Sequence, residues 1–76
     1  MTILKSMELD MGKDLILAIA EGCYAIYIQQ ENSVIKDGIT IPLPIIDEVL
    51  GVYDITDYDL NEMIEILKGH EKLLKS

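Results

Sequence analysis

The chain has no Trp, no Phe and no Arg, and only one Cys and one His. Each scarcity excludes something. A lone cysteine, Cys23, cannot close an internal disulfide, so no cross-linked secreted scaffold is expected and the thiol reads as a small buried hydrophobe. His70 has no second His or Cys beside it to share a metal, and it stands too near the end of the chain to complete a Ser-His-Asp set. Six Lys without Arg offer too few clustered cations to displace counterions from nucleic-acid phosphates or to hold an anionic membrane. The glycines are isolated, so there is no phosphate-cradling loop. The longest mostly apolar run, Leu15 to Ile28, contains Glu21 and is too short to span a bilayer. Glu8, Asp10 and Asp14 precede or open that run against Lys5 and Lys13, which is wrong for a signal peptide. A cytoplasmic chain complete from Met1 is the resulting expectation.

What is present is aliphatic and acidic. Seventy-six residues, of which 50% are hydrophobic, support one domain over residues 1–76. A chain of this size hides only about 60% of its unfolded surface. With 23 Ile and Leu, some must stay near solvent, and contiguous exposed apolar surface usually marks an interface. We therefore expect a homo-oligomer, most simply a dimer. The net charge of −8 is unevenly placed. Residues 37 to 67 hold Asp37, Asp47, Glu48, Asp54, Asp57, Asp59, Glu62 and Glu65 and no Lys, whereas Lys68, Lys72 and Lys75 follow.

Periodicity and turn chemistry suggest an α+β fold in the order βαββαα, a small mixed sheet with helices packed on one face. Lys5 to Leu9 alternates as a strand. Asp10 as N-cap and Gly22 as C-terminal stop bracket a helix over Lys13 to Glu21, and on helical spacing Ile16, Ile19, Ala20 and Cys23 share a face. The alternative is a hairpin of Leu15–Ile19 and Tyr24–Ile28 around Ala20-Glu21-Gly22, giving a β-meander over 14–43 followed by two helices. Tyr24 to Ile28 reads as a strand. Val34 to Lys36 and Ile39 to Ile41 flank Asp37-Gly38, a strong two-residue hairpin signal. Pro44 can open a short helix to Leu50, stopped by Gly51. Thr56 reads as the N-cap of a final helix with Asp59 at N3, and Ile55 and Leu60 form a staple. Leu60, Met63, Ile64, Leu67 and Leu74 make its apolar stripe, and Gly69 weakens it beyond Lys68. Ile66 and Leu73 lie beside that stripe and are the expected oligomer interface.

No cofactor, metal or catalytic group is called. Asp57-Tyr58-Asp59-Leu60-Asn61 matches the first three ligand positions of a calcium loop. Glu62 stands where that loop needs Gly, however, and Lys68 where it needs Glu. Neighbours such as Asp47 and Glu48 would point to different sides of a helix and do not converge on a substrate. The reading is of a non-enzymatic acidic binding protein that docks on a basic surface of a protein partner. Asp54, Asp57, Asp59, Glu62 and Glu65 are the expected contacts, with neither nucleic acid nor membrane as a direct partner. Antitoxins, anti-defence inhibitors and phage regulators share this size and charge, by analogy alone. The alternative is an oligomer holding a small molecule between subunits, with Tyr24, Tyr27 or Tyr53 lining the pocket.

Overall fold

A computed structural model describes residues 1–75. Its elements are six strands and one helix: β1 (Thr2–Glu8), β2 (Lys13–Ala20), β3 (Cys23–Gln30), β4 (Ser33–Lys36), β5 (Ile39–Pro42), β6 (Ile45–Asp54) and α1 (Leu60–Leu74). The order βαββαα is thereby corrected, and so is its alternative with two terminal helices. The segment expected to be helical over Lys13 to Glu21 is strand β2, and the one from Pro44 to Leu50 lies mostly in β6.

The reasons lie in the turns. Met11-Gly12, Glu21-Gly22 and Asp37-Gly38 all take positive φ, between 50° and 78°. Consecutive left-handed residues give the twist that two-residue hairpins need, and Gly adopts that region without steric cost. Thus β2 and β3 form a tight hairpin with Ala20 opposite Cys23, one residue shorter in its loop than Ala20-Glu21-Gly22. Asp37-Gly38 joins β4 to β5, with Lys36 opposite Ile39.

Four strands make an antiparallel sheet in the order β1-β2-β3-β6, and β4-β5 form a separate ribbon. That ribbon continues the line of β3 and β6 as an arm, tied at its base by the Leu43 N–H donating to the Asn32 carbonyl at 2.7 Å. The molecule measures 46 × 32 × 16 Å. One face of the sheet is covered by α1. Leu15, Leu17, Tyr24, Ile26 and Ile28 from the sheet close on Met63 and Leu67 from the helix, with Met7, Leu50, Tyr53, Tyr58 and Ile64 at the margins.

The helix starts three residues later than Thr56 implies. Asp59 is the N-cap and Glu62 is N3, a reciprocal capping box. Thr56 instead gives both its N–H and its hydroxyl to the Asp54 carboxylate. Of the expected stripe, Met63 and Leu67 are fully buried, whereas Leu60 and Leu74 are 45% and 44% exposed. α1 runs through Gly69 to a C-cap at Lys75, whose N–H reaches the Glu71 carbonyl at 3.0 Å. No helix among the described residues is long and apolar enough to cross a membrane.

Candidate functional site

The acidic segment forms the corner where β6 passes into α1. At the end of β6, one oxygen of Asp54 accepts the Thr56 N–H at 2.8 Å and the Thr56 hydroxyl at 2.7 Å. These bonds favour the ionised form and hold the Asp54 carboxyl below its ordinary pKa, with the backbone bond the larger cause. Asp59 accepts the Glu62 N–H at 2.8 Å while Glu62 accepts the Asp59 N–H at 3.0 Å. Glu65 meets Lys68 at 3.6 Å, one turn on. The Asp57 backbone N–H donates to the Asp54 carbonyl at 3.1 Å, but the Asp57 carboxylate takes no partner among the described residues. All five acids are exposed. The carboxylates of Asp54, Asp59 and Glu62 are thus bound into turn and cap geometry, and those of Asp57 and Glu65 have no part in it.

The other expected residues scatter. Ile66 is half-buried against the core, and Leu73, 75% exposed, lies further along α1. Tyr24 and Tyr53 sit on the helix-covered side, while Tyr27 belongs to the cluster on the opposite face. Tyr53 stacks edge-on against Tyr58, with centroids 5.3 Å apart. Two open clefts lie at the far end of the sheet. One, of about 440 Å³, is formed by Gln29, Glu31, Asn32, Ser33, Pro42 and Pro44 at the base of the arm. The other, of about 290 Å³, lies between Glu8 and Glu31. No tyrosine lines either cleft. Asp47 pairs with Lys13 at 3.0 Å across that end. Among the described residues no three His, Cys, Asp or Glu side chains are grouped to hold a metal ion.

A second surface is absent from the sequence reading. Direct cross-strand partners share a face of a sheet. On the face away from α1, one row runs Ile3, Ala18, Ala25, Val52, and the next runs Ser6, Ile16, Tyr27, Val49. Neither row holds a charge. Ile16, Ala18 and Tyr27 are shielded in the middle, and burial raises the Tyr27 phenol above its ordinary pKa. Around them Ile3, Ile46, Val49 and Val52 stand 52%, 51%, 56% and 63% exposed. The signal was disguised by two irregularities in the pairing of β3 with β6. Gln29, Tyr27 and Ala25 step by two, while their partners Ile46, Val49 and Val52 step by three. A spacing of three imitates a helix.

No protein-family model matches this chain, and no match was found among curated proteins or solved structures.

Proposed function

We propose that this is a non-enzymatic binding protein that acts by docking the acidic corner between β6 and α1 on a basic surface of another protein. The observation supporting this reading is the state of the five carboxylates. All are exposed, yet Asp54, Asp59 and Glu62 are oriented by hydrogen bonds of 2.7 to 3.0 Å to neighbouring backbone and hydroxyl groups. An anionic surface whose groups are already fixed loses less side-chain freedom when a partner arrives. Among the described residues only Glu65 meets a lysine there, so the field of the corner is left to act outward. Such a field raises association rates and rejects acidic surfaces.

The residues that carry turn and cap cannot be changed cleanly, so the test uses the other two. In Asp57→Asn with Glu65→Gln, the urea midpoint should stay within the range of an ordinary surface change, about 0.5 kcal/mol. Partners recovered from native cell extract should bind the variant more weakly, and with a shallower dependence on salt. Undiminished recovery at low salt would refute the docking role of these acids.

A further inference from the structure

We infer that the partner docking at the acidic corner presents an extended segment, alternately basic and apolar, which adds to the outer edge of β6 as a fifth strand. This rests on the docking proposed above and gives the partner a shape, since the corner is where that edge ends.

β6 is an outermost strand of its sheet, paired with β3 alone, and at ten residues it is the longest. α1 packs over β2 and leaves this edge open. The bond from the Ile55 N–H to the Gly22 carbonyl, at 3.1 Å, fixes which groups face outward. Antiparallel strands exchange backbone bonds at every second pair. Tyr24 and Tyr53 therefore bond each other, as do Ile26 and Gly51, while Val52 and Asp54 turn their N–H groups away from β3. The Asp54 carbonyl accepts the Asp57 N–H. The two N–H groups and the Val52 carbonyl have no strand partner among the described residues. Such an edge is a template for another extended chain.

The exposed apolar row on β6 has the same cause. On the face away from α1, Ile16, Ala18 and Tyr27 in β2 and β3 have a strand on either side and are buried. Ile46, Val49 and Val52 have a strand on one side only and stay more than half exposed. A fifth strand shields that row with its own apolar residues, which fall at alternate positions. Charge chooses the occupant. β6 carries Asp47, Glu48 and Asp54 and no Lys, and it runs on into Asp57 and Asp59. The opposite edge strand, β1, sets Lys5 against Glu8 and is balanced. Glu48 lies opposite Ile28, on the helix side, so the basic positions of the added strand face that side and the apolar positions the other. A second copy joined edge to edge would bring two sets of these acids together, and like charges across a strand pair destabilise it.

The probe is the capped peptide Lys-Val-Lys-Val-Lys-Val-Lys, titrated at low salt into isotope-labelled protein and followed by NMR with amide hydrogen exchange. Its control is the same peptide N-methylated at every residue, which keeps the charges and loses the donors. The plain peptide should bind and slow the exchange of the Val52 and Asp54 amides. The methylated one should bind at least about tenfold more weakly, as the loss of two backbone hydrogen bonds requires. Val52→Pro removes an outward donor without touching the ladder to β3, a change that edge strands tolerate, and should weaken the plain peptide. Should that variant misfold, the pair of peptides still decides. Equal binding of both, with the two amides unprotected, overturns the added strand and leaves docking by charge standing. Binding of neither peptide overturns the docking of the corner as well. A chain that dimerises and protects these amides without peptide places a second copy at the edge, and that too overturns the basic segment.

Discussion

Truncating Leu67 to alanine probes the seam that joins the helix to the sheet. Among the described residues, α1 lays two fully buried side chains, Met63 and Leu67, onto the strands. Leu→Ala removes three carbons, at about 0.8 kcal/mol each, which sets a floor near 2.5 kcal/mol if α1 settles into the gap. If it cannot, the remaining cavity adds about 24 cal/mol per Å³, and the loss approaches 4 kcal/mol or more. A domain of this length has about 4 to 11 kcal/mol in all. With a slope of about 1 kcal/mol per M for so small a protein, the urea midpoint should fall by roughly 2.5 to 4 M. Circular dichroism at 222 nm follows α1, and tyrosine fluorescence follows Tyr24 and Tyr53 beneath it. Both should move together, at one fixed protein concentration so that association does not shift the midpoint. Leu74→Ala, at a position 44% exposed, is the control and should cost far less. A loss below about 1 kcal/mol for Leu67→Ala would mean that the helix does not rest on this residue.

Two further outcomes follow from the corner. Asp59→Ala should lower stability by about 1 kcal/mol through loss of the helix cap, and Thr56→Ala by less, since its hydroxyl serves a turn; equal urea midpoints for the two variants would contradict the cap assignment. The Asp54 carboxyl is depressed in the folded state, so its contribution is present above the unfolded pKa and lost as pH falls through the folded one. Asp54→Asn should therefore flatten part of the acid limb of a stability-against-pH curve below about pH 4, and an unaltered limb would refute it.

Turn chemistry was the most legible part of the sequence. Asp37-Gly38 announced its hairpin because few residue pairs accept two positive φ values. Met11-Gly12 and Glu21-Gly22 have the same backbone geometry, but Met and Glu are poor advertisements for it, and those turns were read as helix boundaries. β2 was opaque for a different reason. Leu15, Ile16, Leu17 and Ala18 are buried in succession, because a central strand is shielded on both sides and its alternation disappears. β6 was misread because Pro44 and Gly51 stand where a short helix would start and stop, while its irregular pairing with β3 breaks the alternation that would mark a strand. At the corner the acids were visible, but their division of labour was not. Thr56 and Asp59 are both good caps, and only the path of the chain out of β6 chooses between them.

The arm bears on how the sheet assembles. β3 and β6 pair across residues 31–44, from Gln30 opposite Ile45 to Cys23 opposite Asp54. Without β4 and β5, that pairing would have to close a loop of fourteen residues. With the ribbon formed first around Asp37-Gly38, two residues are closed and the rest zips, sparing about 1.5 to 2 kcal/mol of closure entropy. The turn at the tip thus acts as a ruler for a strand pair that begins seven residues away. A single residue inserted on one side of the arm shifts β6 by one place unless the irregular pairing absorbs it. The shift exchanges the faces of the strand. Leu50 and Tyr53 would then leave the core, and Val49 and Val52 would turn in beneath the helix.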